Sequence, residues 1–423
     1  MVRVFIYMVL LAGIGNAVLR PELGNPWTLY RLMAPVGLLL VILMAPRLAG
    51  MAIATFVLFA VHSYALASAY RADFSQLYPS LVHFFYIFNL VALVIFLRKI
   101  DDRFEWQFER FIVVFFGFVV ANLLVEMAWG NFYPNLYLDE SGDGSVRAFF
   151  WNQNDLAVVL CMMGWFALVR ERWSPWLRIA MVGFVVLILY INDSKAALMS
   201  FVLVSLPVFV MFGVVRRTRV PRFVWAAFFS LLAIAGALLL HAVRDVPLSF
   251  SNEFYTLDDL VFAPLGRIFS LEASSEMWGS ISNRTDATIF VLMEYFRSGG
   301  LGLGAGGSWL VLSLPEYRLG GAESPHNAIL QFVVDFGYPV LIWYAWALCW
   351  AWMRMFGRQN TSNQRLKIMA ILSFPLLGLS QSGAIVTNYF FWMVATYIWL
   401  LDRPLFESTA QQPVRLSVTA SSS

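Results

Sequence analysis

Charge is scarce in this 423-residue chain: Asp, Glu, Lys and Arg make up 13% of it, against 60% apolar residues. Soluble domains carry about a quarter charged residues, so an ordinary soluble fold is excluded. Cysteine is scarcer, with Cys161 and Cys349 alone, both inside apolar runs, which makes neither a disulfide framework nor a cysteine metal site. Only four histidines are present, and no His/Cys/Asp/Glu set has metal-ligand spacing, so no metal and no cofactor is expected. The net charge of +3 is small, and the cations sit at the ends of apolar runs rather than on one face. Membrane topology accounts for that distribution, and nucleic acid is not an expected partner.

What the chain has in quantity is apolar length, with 38 Phe and 16 Trp. The runs are about 17–25 residues long, the length a helix needs to cross a ~30 Å hydrocarbon core. Twelve are read, near 2–19, 27–46, 50–70, 78–97, 110–129, 154–170, 176–192, 195–214, 222–243, 326–353, 366–385 and 387–401. The expected fold is therefore an all-α polytopic membrane protein of about twelve transmembrane helices. The run after Arg3 lacks a cleavage site followed by a soluble chain and reads as an uncleaved first span. With the N-terminus cytoplasmic, 19 of the 29 Lys and Arg fall on the inside, which sets the orientation. The chain divides into spans one to nine (1–243), a polar outside loop (244–325), spans ten to twelve (326–403) and a cytoplasmic tail (404–423). Trp278, Phe290, Phe296 and Trp309 make the loop too apolar for disorder, so a small helical cap is expected there.

The chemistry-bearing residues gather on the outside. His62, His83 and His241 lie in or beside apolar runs, where one hydrogen bond satisfies each. His326 differs, because in SPHNAILQFVVDFG (324–337) Ser324 can serve as N-cap and Pro325 can take the first helical turn. That placement puts His326 at the positive end of a helix, which disfavours imidazolium and keeps a neutral base available. Asp335 lies about 13 Å farther along the same helix and on nearly the opposite face, so it reads as a structural hydrogen-bonding residue rather than a dyad partner. Arg147, Lys195, Arg267, Arg284, Arg297 and Arg318 are cations on the disfavoured side, and arginine suits bidentate phosphate binding. Each has a plainer reading as a surface charge or an ion-pair partner. GLGLGAGG (300–307) is no nucleotide loop, since neither a preceding strand nor a following Gly-Lys-Ser/Thr is readable; a flexible turn is expected.

NQNDLA (152–157), SKAAL (194–198), NRTDATIFVLMEYFRSGGLGLGAGG (283–307) and PHNAILQFVVDFG (325–337), in this order, resemble the O-antigen ligase and O-antigen polymerase superfamily of bacterial envelope enzymes from about residue 145 onward. The resemblance implies a metal-independent, inverting GT-C-type glycosyltransferase of the inner membrane with its site facing the periplasm. Its donor would be a glycan on undecaprenyl diphosphate. Its acceptor would be a sugar hydroxyl on another lipid-linked glycan or on the lipid A core. Membrane lipids and chain-length regulator proteins would be its other partners. By the same resemblance His326 activates the acceptor and Arg284 binds the diphosphate, with Lys195, Arg147 and Arg267 as further diphosphate cations. Asn327, Asp335 and Asn154 are supporting residues. Lys195 stands where ligases commonly have arginine, which tips the reading toward polymerase, with ligase the alternative. A polysaccharide or lipid transporter and a non-catalytic scaffold are the rivals of other classes. A transporter would show repeats and broken helices along a midplane path.

Overall fold

The computed structural model describes residues 1–14, 29–70, 77–130, 146–148, 150, 153–192, 194–217, 220–246, 248–250, 253–256, 258–273, 280–314, 327–357, 360–378 and 388–401. A helix occupies each of the twelve apolar runs. In chain order the first seven are α1 (Val2–Ile14), α2 (Leu29–Met44), α3 (Pro46–Tyr70), α4 (Leu77–Ile100), α5 (Phe104–Trp129), α6 (Gln153–Val169) and α7 (Pro175–Ile191). The eighth run is α8 (Lys195–Met199) and α9 (Leu206–Arg217), joined by a π-helical segment over Ser200–Ser205, and the ninth is α10 (Arg222–Ala242). Five described helices are long and apolar enough to cross a membrane: 46–69, 77–100, 104–129, 196–213 and 223–242. The chain is a helical membrane protein.

The connection after α10 holds a short antiparallel hairpin, β1 (Leu248–Phe250) and β2 (Glu253–Tyr255), with Ser249 opposite Phe254, which the apolar pattern did not foretell. A π turn over Asp258–Phe262 follows, then α11 (Ala263–Ser270), α12 (Ser280–Arg297) and α13 (Gly307–Ser313). The run read as one span over 326–353 is broken. It consists of α14 (Ala328–Phe336) and α15 (Tyr338–Met355), separated at Gly337, whose φ of 76° and ψ of −160° no helix accommodates. α16 (Ser362–Gly378) and α17 (Tyr389–Leu400) complete the fold.

α6 is the axle of the bundle. Every residue from Leu156 to Val169 is buried, as a helix apolar on all sides requires. It packs against α7, α16 and the α8–α9 segment, and Gly164 permits the closest approach: a Cβ there would lie 2.3 Å from the Phe201 ring. Phe201 lies in the π segment, where the Ser205 hydroxyl contacts the Ser200 carbonyl at 3.2 Å and polar side chains join the segment to its neighbours. Ser200 Oγ donates to the Ser373 carbonyl (2.7 Å), the Ser205 and Ser373 hydroxyls pair at 2.8 Å, and Trp165 Nε1 donates to Ser205 Oγ (2.9 Å). Pro375, inside α16, has no N–H to offer the carbonyl four residues back, that of Ile371. The Tyr344 hydroxyl supplies the missing donor at 3.1 Å.

The arginine-rich end is stitched by charge. Arg178 donates to the Ala167 and Leu168 carbonyls (both 2.7 Å) and so caps the C-terminus of α6. Arg170, almost fully buried, pairs with Glu109 at 3.1 Å, hydrogen-bonds Asn363, and reaches the Tyr397 hydroxyl at 3.4 Å, which ties α5, α6, α16 and α17 together. Arg3–Asp101 (3.2 Å) and Arg365–Glu171 (2.9 Å) lie at the same end.

Candidate functional site

At the other end, α12, α13 and α14 share a small core of their own. Ala287, Val291 and Tyr295 of α12 meet Val311 and Leu312 of α13 and Val333 and Val334 of α14. The long connection and the start of the following helix therefore form one packed unit. Arg284 sits in the second turn of α12. It is exposed, and its guanidinium makes no hydrogen bond or ion pair with the described residues. Enough protein surrounds its guanidinium to lower its pKa from the usual arginine value through desolvation, yet arginine stays cationic. Two residues on, Asp286 is buried and bound by Arg267, which also donates to the Glu272 carbonyl at 3.3 Å. Arg267 is thus the tie between α11 and α12.

The start of α14 differs from its sequence reading. The N-cap is Asn327, whose Oδ1 accepts the Leu330 N–H at 3.0 Å, and the helix begins at Ala328. Ser324 and Pro325 are therefore not its cap and first turn. His326 is the residue before the cap; it lies, with Ser324, Pro325 and Arg318, outside the described residues. Asn327 was a legible cap, being an Asn directly ahead of an apolar run.

The glycine segment is a clasp, not a flexible turn. Leu303 and Gly304 N–H groups donate to the Val334 and Asp335 carbonyls (both 2.9 Å), and Tyr338 N–H donates to the Gly300 carbonyl (3.2 Å). The buried Asp335 carboxylate accepts from Gly306 N–H (3.1 Å) and Ser308 N–H (2.8 Å), which holds the loop and the start of α13 against the end of α14. Gly302 and Gly304 have φ of 103° and 86°, where side-chain-bearing residues are strained. Space forbids a side chain as well: a Cβ on Gly302 would lie 2.8 Å from the Asp335 carbonyl oxygen, one on Gly304 2.6 Å from that of Ser63 in α3, and one on Gly337 2.2 Å from that of Leu301.

A second group forms around α5, α6 and α8. Glu126 accepts the backbone N–H groups of Arg147 (3.0 and 3.1 Å) and Ala148, the latter in the left-handed region at φ 50°. Asn192 makes a reciprocal pair with Val146, accepting its N–H at 2.9 Å and donating to its carbonyl at 2.7 Å. The segment leading to Arg147 is therefore fixed beside the turn that leads to Lys195. Lys195 opens α8, with its side chain outside the described residues, and Asn154 lies partly buried in the first turn of α6. Glu126 and Asn192 were missed as positioning residues. An acid within an apolar run and an Asn in a turn signal hydrogen bonding, but nothing in the sequence names their partners.

Beside α14 is a cavity of about 610 Å³ between α6 and α14–α17, lined by apolar and aromatic groups such as Ile329, Phe332, Trp165 and Trp392. Its rim residues Trp343, Trp346 and Trp399 are exposed, so it opens on the apolar outer surface of the bundle. Among the described residues no three His, Cys, Asp or Glu side chains gather as metal ligands. Comparison with protein-family models and with curated proteins finds no match to this chain.

Proposed function

We propose that this chain is a glycosyltransferase of the bacterial inner membrane, twelve-spanning and GT-C-like, with its site on the periplasmic face. It transfers a glycan from undecaprenyl diphosphate to an acceptor sugar hydroxyl. The observation that carries the reading is Arg284, a cation without a partner among the described residues, on a helix packed in one core with α14, whose cap directly follows His326. An arginine left open near the start of its own helix suits an anionic group of fixed geometry, and a diphosphate is one. The apolar cavity beside α14 offers a lipid chain a place among Ile329, Phe332 and the aromatic groups around them.

In this reading the acceptor oxygen attacks the anomeric carbon while His326 takes its proton. The bond from that carbon to the diphosphate oxygen breaks, undecaprenyl diphosphate leaves with the electron pair, and the anomeric centre inverts. Arg284 stabilises the charge that gathers on the leaving group, and Arg147 and Lys195 contribute to the same field. Lys195, a point charge in place of a planar fork, favours the polymerase, whose acceptor is a second lipid-linked glycan; the ligase would use a lipid A core sugar.

The test is transfer by purified protein in nanodiscs from undecaprenyl-diphosphate glycan, with chelator present and each acceptor supplied in turn. Wild type should transfer, and His326→Ala should lose at least ~10²-fold in rate with normal insertion. Unimpaired transfer by that variant would remove His326 from the chemistry. Vesicle-to-vesicle movement of intact donor without transfer would establish the transporter instead.

A further inference from the structure

The glycine clasp touches neither Arg284 nor the α14 cap. It lies at the far end of both helices that lead to them. α12 runs from Arg284 into the glycine segment, and that segment is fastened to the end of α14 by two backbone hydrogen bonds and the Asp335 carboxylate, with a third backbone bond from Tyr338 at the start of α15. Glycine is required there by conformation and by space, and Asp335 spends both carboxylate oxygens on the N–H groups of Gly306 and Ser308. A buried carboxylate demands compensation for its desolvation, and a merely stable core would be served better by an apolar residue in its place. What the carboxylate adds is direction: two N–H groups aimed at two oxygens set the register of the loop against α14, which van der Waals packing alone leaves free to slide.

We propose that Asp335 is a positioning residue for glycosyl transfer, acting through the clasp to hold α12, with Arg284, at a fixed register against α14. The inference rests on the glycosyltransferase reading above. With the clasp loosened, Arg284 still binds the diphosphate, but the anomeric carbon no longer stands where the acceptor is activated. Misplacement of about 1 Å far from the chemistry can lower a rate on the order of 10²-fold while leaving binding intact. Asp335→Asn is nearly isosteric, yet its amide turns one of the two acceptors into a donor facing an N–H.

The experiment measures kcat and donor KM for wild type and Asp335→Asn, alongside spin-label distances between Phe296→Cys on α12 and Ile342→Cys on α15. Both positions are exposed, and Cys349→Ser removes the exposed native thiol. Asp335→Asn should lower kcat by ~10²-fold, keep donor KM within about threefold and broaden the label distribution. A purely structural residue would instead lower the amount of active protein at unchanged kcat per folded molecule. Should Asp335→Asn fail to accumulate, Ser308→Pro removes a single N–H of the clasp within the first turn of α13, where proline is tolerated, and should lower kcat about tenfold. Wild-type kcat in the folded variants, or an unchanged label distribution, overturns the proposal. The distances need no turnover. Absence of transfer by the wild-type chain would therefore count against the glycosyltransferase reading, while the labels still judge the clasp.

Discussion

Gly304→Ala should be among the most damaging single-methyl additions in this protein. The alanine would hold φ near 86°, a left-handed conformation that costs about 1–2 kcal/mol for a residue with a Cβ. Its Cβ would stand 2.6 Å from the Ser63 carbonyl oxygen and 3.3 Å from the Ala67 nitrogen, both backbone atoms of α3 that no rotamer change can move. Relieving that overlap by a backbone shift adds about 1–3 kcal/mol, and a shift that breaks the Gly304 N–H bond to the Asp335 carbonyl adds about 0.5–1.5 kcal/mol more. The expected loss is therefore roughly 3–6 kcal/mol, set by strain, overlap and one hydrogen bond. Gly183→Ala in α7 is the control, because a Cβ there meets nothing within 4 Å and alanine favours a helix by up to about 1 kcal/mol. Unfolding titrations of both variants in mixed micelles, with transfer assays on the same samples, give the comparison. Equal stability and activity in Gly304→Ala and wild type would refute the clasp as described.

If Arg284 grips the diphosphate at two points, Arg284→Lys should be impaired nearly as severely as Arg284→Ala in the transfer assay, since lysine keeps the charge and loses the planar fork; an active lysine variant would reduce Arg284 to a source of field. At the opposite end, Arg170→Met takes the ion-pair partner from the buried Glu109, whose Tyr397 hydroxyl contact is a long 3.4 Å, and should destabilise by about 3–5 kcal/mol. Adding Glu109→Leu should restore most of that loss in the same titration, and a double variant no better than the single would show that the pair is not what holds the four helices.

The helices were legible because apolar length is the strongest signal a membrane chain emits, and each of the twelve runs holds one. What interrupts them was less so. The break at Gly337 lies inside a run that reads as one span, and its sign is Gly-Tyr-Pro, with Pro339 marking the first turn of a new helix. The π segment over Ser200–Ser205 has no local signature at all, and its partners Gly164, Trp165 and Ser373 come from other helices. For the candidate site, spacing read Asp335 as a structural hydrogen-bonding residue, and its carboxylate accepts two backbone N–H groups. Spacing could not pair Arg267 with Asp286, since loop cations meet their partners only through tertiary folding. The glycine segment misled because glycine signals freedom when read alone, and close approach only when the neighbouring backbone is known.

The Arg170 network also imposes an order on biogenesis. Arg170 and Glu109 leave the ribosome early, whereas Asn363 and Tyr397 follow Arg170 by 193 and 227 residues, which at usual synthesis rates is roughly 10–45 s. Over that interval α5 and α6 hold a charge pair whose remaining hydrogen-bond partners have yet to be made. The last helices close the bundle by completing the set, so a chain truncated before α16 carries an unfinished ion cluster at the membrane boundary.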